Sequence, residues 1–114
     1  MSLYKEAQNT YQLPDTVKGT TLETLSFEVL VNTIAPLTTL STVTCLLAKD
    51  GATTLTLPIT ITNSTSWYFT IDEVIGANMD LEEGLHVGDI ETTDSAGIVK
   101  KYVKLELQIL PSPQ

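Results

Sequence analysis

The sequence predicts an all-β protein, an antiparallel two-sheet sandwich of about six to seven strands. Three observations lead there. Over 99–109 the apolar residues Val99, Val103, Leu105, Leu107 and Ile109 take odd positions, while Lys100, Tyr102, Lys104, Glu106 and Gln108 take even ones. A period of two places one set on each face of a strand. Asp50-Gly51 lies between two further alternating segments, a hairpin signal because glycine accepts positive φ without steric cost. About one residue in six is threonine, and β-branched types dominate together with leucine. That mix suits pleated, half-buried strands.

The 114 residues make one domain. At this size folding buries roughly 65% of the unfolded chain's surface, enough for a core without disulfides or metal. The 14 acidic and 6 basic residues leave a formal net charge of −8. Phosphate backbones and anionic membrane surfaces repel that charge, so neither nucleic acid nor membrane is an expected partner. No apolar run approaches a spanning length, and the start lacks the basic-then-apolar order of a signal peptide. Cys45, the single cysteine, excludes an internal disulfide and reads as a buried thiol in a strand.

Taken in order, residues 1–13 are polar with two isolated tyrosines, Tyr4 and Tyr11. They read as an arm outside the core, ordered by pairing with a neighbour. Pro14 and Gly19 bracket a short extended or turn segment, and Leu25, Phe27, Val29 and Val31 mark the first full strand. Val43, Cys45 and Leu47 form the next inward row. Leu55, Leu57, Ile59 and Ile61 answer them across the Asp50-Gly51 turn, in a strand that Pro58 confines to an edge or a bulge. Trp67, Phe69 and Ile71 supply another inward row after the polar turn 63–66. Within 72–83 a helical turn is expected, with Asp72 as its cap. The last hairpin spans 84–110 around a loop at 93–97. The sandwich is therefore 14–110, with a tail at 111–114 that begins at Pro111.

No catalytic, cofactor-binding or metal-ligating set emerges. His86 is the only histidine, so one chain cannot assemble a zinc site of several His or Cys ligands, and no Gly-x-Ser-x-Gly elbow marks a nucleophile. Asp80, Glu82, Glu83, Asp89, Glu91 and Asp94 lack the ligand order of a calcium loop and read as a solvated acidic edge. Trp67 alternates with Phe69 and Ile71 and belongs to the core. Tyr68 and Tyr102 fall on outward rows. Together with Tyr4 and Tyr11 they are the candidate contact residues.

Two stretches carry a resemblance. Residues 13–22, Leu-Pro-Asp-Thr-Val-Lys-Gly-Thr-Thr-Leu, and 81–91, Leu-Glu-Glu-Gly-Leu-His-Val-Gly-Asp-Ile-Glu, precede the turn 94–97 and the strand 103–109. This order resembles the immunoglobulin-like domain at the N-terminus of phage baseplate upper proteins and related fibre-attachment proteins. His86 stands where that family usually has tyrosine, and Gly88 where a second bulky residue is common. The resemblance implies an immunoglobulin-like sandwich in a non-enzymatic virion protein, an attachment module of tail or baseplate. It would assemble in the bacterial cytoplasm, and its partners would be other virion proteins and copies of itself. The alternatives are a capsid decoration or head-fibre protein, or a module binding carbohydrate or a cell surface.

Overall fold

The computed structural model describes residues 9–29 and 36–112. Its nine strands are β1 (Asn9–Gln12), β2 (Thr16–Val17), β3 (Leu25–Glu28), β4 (Leu40–Lys49), β5 (Ala52–Thr56), β6 (Ile59–Asn63), β7 (Tyr68–Ile71), β8 (Gly84–Asp94) and β9 (Val99–Leu110). One sheet runs β1-β9-β8-β4-β5, with β2 also on β9, and the other runs β3-β7-β6. In immunoglobulin lettering β1 and β2 are a split A strand carried on G, and the sheets read A-G-F-C-C′ and B-E-D. The fold is an immunoglobulin-like β-sandwich. Its core fills the space between the two sheets, where Cys45, Leu47, Phe69, Ile71, Ile90, Leu105, Leu107 and Ile109 are all buried. Phe27 stacks on Phe69 with ring centroids 5.6 Å apart. Phe27, Val43, Ile59 and Val103 are only half-buried against this cluster. Val31, expected at the end of β3, lies outside the described residues.

The strand count exceeds the expected six to seven for identifiable reasons. Residues 9–13, expected in an arm, belong to the sandwich: β1 pairs with β9 in parallel, Asn9 opposite Val103 through Gln12 opposite Glu106. The Leu13 amide extends this ladder to the Glu106 carbonyl at 2.8 Å. Pro14 has no amide to donate, so pairing stops and resumes as β2, Thr16 opposite Ile109. Such an edge strand turns one row only toward the core, here Tyr11, which leans on Phe27 at 5.3 Å while staying partly exposed, and then the buried Leu13. Its polar sequence hid it for that reason. The domain thus begins no later than Asn9, and these two segments are the exceptions to an otherwise antiparallel pairing.

Pro58 accounts for a second difference. The segment 55–61 is two strands in different sheets. The Leu57 amide makes a bond to the Cys45 carbonyl at 3.0 Å, after which the chain crosses and Pro58 accepts from the Asp72 amide at 2.7 Å. Each strand beside the crossing also carries an irregularity. The β4–β5 register shifts so that Thr54 is extra, and the β6–β7 register shifts so that Thr62 is extra. Bulges and proline both blunt an edge against unwanted pairing.

The third difference lies in β9. Its register with β8 passes from Ile90–Val103 to Glu91–Lys101, leaving Tyr102 as an added residue. A bulge of one residue reverses which face the following side chains take. Val99, expected inward, is therefore 53% exposed. Tyr102, expected outward, packs edge-on against Trp67 at 6.3 Å. The Asp50-Gly51 turn is as expected, a two-residue connection with φ of 53° and 83° between Lys49 and its partner Ala52. Within 72–83 the helical turn forms later than expected, as a 3-10 turn over Gly76–Asn78. Asp72 does not cap it. Its carboxylate instead accepts the hydroxyls of Thr60 at 2.5 Å and Thr70 at 2.7 Å.

Candidate interaction surface

His86 is fully buried on β8, and both ring nitrogens are occupied. The Glu82 carbonyl can only accept, so Nε2–H donates to it at 2.6 Å, while Nδ1 shares a hydrogen bond of 2.7 Å with the Thr54 hydroxyl, which also lies 3.2 Å from the Leu47 carbonyl. The bulge at Thr54 is what turns that hydroxyl inward. His86 thus pins the β5 edge and the segment before β8 to the core, and neither nitrogen is open to a substrate.

Cys45 is equally enclosed. Burial, with the nearby Asp89 charge, pushes its thiol up to about 12 from an ordinary 9.0. A thiol raised in the folded state supports folding below the unfolded value, and that support falls away as pH rises past it. Cys45 is therefore expected to resist a thiol-specific reagent at about pH 8 in the native protein and to react at once in denaturant. Rapid native labelling would show that the site opens.

The acidic residues of the closing hairpin serve different tasks. Glu82 pairs with Lys49 at 2.9 Å, Asp80 with Lys18 at 3.6 Å, and Asp89 with Lys101 at 4.0 Å. Among the described residues no group of His, Cys, Asp and Glu could hold a metal ion, and no helix is long and apolar enough to cross a membrane.

Asp94 organises one end of the sandwich. One carboxylate oxygen accepts the amides of Ala96 and Ile98, both at 2.9 Å, and the other accepts the Thr38 hydroxyl at 2.9 Å. The Ser95 amide adds a bond to the Thr39 carbonyl, also 2.9 Å. The β8–β9 turn is thereby tied to the segment before β4. The hydrogen bond donated by the Ile98 amide, helped by Thr38, Ala96 and the Lys100 charge, holds the Asp94 carboxyl below the usual carboxylate value of 3.8. A depressed carboxyl stabilises the fold above its unfolded pKa and loses that contribution as pH falls through the folded one. Amide exchange at Ala96 and Ile98, compared after allowing for its intrinsic pH dependence, should lose protection only below about pH 4. Protection that persists unchanged far into acid would contradict this role.

Trp67 supports the same end from beneath. It is 2% exposed, and its Nε1–H donates to the Thr38 carbonyl at 2.6 Å. It does so with a φ of 60°, a left-handed conformation rare for a bulky residue. Such strain persists only where the surroundings enforce it. Above this frame stand three exposed aliphatic side chains, Leu37 at 99%, Ile98 at 51% and Val99 at 53%.

The three described tyrosines do not form one patch. Tyr4 lies outside the described residues. Tyr11 is 44% exposed but leans its ring on Phe27, and Tyr102 is half-buried under Trp67. Tyr68, 43% exposed, stands across from Glu28 and Asn63 on the outer face of the smaller sheet. The apolar tip of Leu37, Ile98 and Val99 was not singled out in the sequence. A signal exists there: Ile98-Val99 follows Gly97 as two adjacent aliphatics, which breaks the period of two. A scan against protein-family models matches none, and no curated protein matches the chain.

Proposed function

We propose that the chain is a non-enzymatic structural component of a phage particle, an attachment or adaptor module of tail or baseplate. The observation that carries this reading is the strand order A-G-F-C-C′ over B-E-D. That order accords with the immunoglobulin-like attachment domains that residues 13–22 and 81–91 resemble. The surface supports assembly over small-ligand binding. The grooves at 14–25 and beside Leu46 and Val87 are lined by threonine, aliphatic and charged side chains, with no aromatic platform. In this reading the module joins other virion proteins through its sandwich surface and through the residues before Asn9, with Tyr68 and the tip as contacts. Deleting residues 1–8 should leave a cooperatively folding domain that no longer enters particles. Deleting through Gln12 should in addition strip β1 from β9 and destabilise the sandwich itself. Normal incorporation of the shorter deletion would place attachment on the sandwich alone.

A further inference from the structure

His86 is the only histidine of the chain, and it is fully buried on β8. The Thr54 hydroxyl stands between two acceptors there. It lies 2.7 Å from Nδ1 and 3.2 Å from the Leu47 carbonyl, and it has one hydrogen to give. With Nδ1 unprotonated the hydrogen goes to the ring, since the Thr54 hydroxyl is the partner that this buried nitrogen has, and the shorter distance fits that arrangement. With Nδ1 protonated the roles reverse. The ring donates to the hydroxyl oxygen, and the hydroxyl hydrogen turns to Leu47. Both arrangements keep Nε2–H on the Glu82 carbonyl at 2.6 Å, so the ring has a partner at each nitrogen in either charge state.

We propose that His86 and Thr54 form a proton-responsive clamp: the ring takes up a proton while still packed in the core, and the Thr54 hydroxyl turns from Nδ1 to the Leu47 carbonyl. The proton comes from solvent onto the Nδ1 lone pair, and only hydrogen bonds are exchanged. Acid thereby adds a bond between the bulge of β5 and β4. Thr54 is half-buried on the outermost strand of its sheet, which puts the Nδ1 side of the ring close to solvent. The charged groups around the ring come from four elements. Lys49 ends β4, Glu82 and Glu83 precede β8, Asp89 follows on β8, and Glu106 adjoins Leu107, the register partner of His86 on β9. β5 carries no charge. Lys49 and Glu82 pair at 2.9 Å, so the other groups named are carboxylates, which favour an imidazolium where burial opposes it. The remaining titrations are well separated. Asp72 and Asp94 are held below the ordinary carboxylate value, and the Cys45 thiol is pushed up to about 12. Imidazole is the side chain that ordinarily changes charge between about pH 5 and 8, so one group reports on the clamp.

Ring nitrogen shifts of the isotope-labelled full chain test the clamp, because they separate the two neutral tautomers from the cation. At about pH 8 the ring should be neutral with its hydrogen on Nε2. By about pH 5 it should be the cation, while the amide spectrum remains that of the folded protein. A ring that stays neutral until the protein unfolds overturns the proposal, and so does a ring already cationic at the higher pH. The second measurement is urea unfolding at both pH values for wild type, Thr54→Ser and Thr54→Val. Each protein is compared with itself, which removes any pH-independent cost of the substitution, and the carboxylates are common to all three. Valine keeps the shape and removes the acceptor, so the folded state refuses a proton on Nδ1. The unfolded chain still takes one at an ordinary value of about 6.5. A histidine kept unprotonated only when folded loses stability as pH falls, by up to about thirty-fold in the folding equilibrium constant at about pH 5. Wild type and Thr54→Ser keep the hydroxyl and should escape that loss. Equal pH profiles for the serine and valine variants overturn the proposal. Should Thr54→Val not fold, the ring shifts of the wild type decide alone.

Discussion

Trp67→Ala is expected to cost roughly 3–5 kcal/mol of stability, the range for truncating a large buried aromatic. The indole is 2% exposed and packs edge-on to Tyr102, so its loss opens a cavity between the sheets. It also leaves the Thr38 carbonyl without its 2.6 Å donor. The left-handed backbone at φ 60° remains a burden on alanine, which gains nothing to offset it. Urea unfolding of the variant should show a lower midpoint with an unchanged slope. Hydrogen exchange should quicken at the Ser95 amide, because the turn it holds to Thr39 is no longer anchored from below. A cost under about 1 kcal/mol would mean that this ring is not part of the packed core.

Gly88→Ala should be nearly as damaging for a different reason. A Cβ built at Gly88 runs into the Leu46 carbonyl oxygen and lies 2.8 Å from its carbon and 3.2 Å from the Leu47 Cα. These are backbone atoms, so no change of rotamer relieves the overlap. Cys45 pairs with Ile90 and Ala48 with Val87, and no register pair is formed between them. There β4 and β8 approach too closely for a side chain, and they must separate to admit one. Overpacking of this kind costs about 1–3 kcal/mol, and more where backbone has to move. The contrast is Gly97→Asn, which sits in open space at φ 81° and should be mild because asparagine tolerates that conformation. Thermal midpoints of the two variants separate a steric role from a conformational one. Equal losses would contradict the close approach at Gly88.

The two-sheet architecture was legible wherever a single row of side chains decided the matter. Leu105, Leu107 and Ile109 announce β9, and Asp50-Gly51 announces the β4–β5 hairpin, because alternation and turn chemistry are local properties. What escaped was set by tertiary pairing. The strand at Asn9–Gln12 gains its place from β9 rather than from its own pattern. The bulge at Tyr102 adds one residue that no period reveals, and it moved Tyr102 inward and Val99 outward together. Pro58 signalled an edge correctly, but only the structure shows that the chain changes sheets there. The same limits apply to the surface. Tyr68 was found as an exposed aromatic on an outward row, whereas the tip depends on Asp94 and Trp67 joining turns distant in sequence.

The central claim is that this sandwich is a building block of a particle, and electron microscopy of virions assembled with and without the intact chain tests it most directly. Intact particles should show density for this two-sheet sandwich in several copies at the tail or baseplate, absent from particles lacking the chain. Particles that are unchanged by its removal, with the protein remaining in the soluble fraction, would contradict the claim.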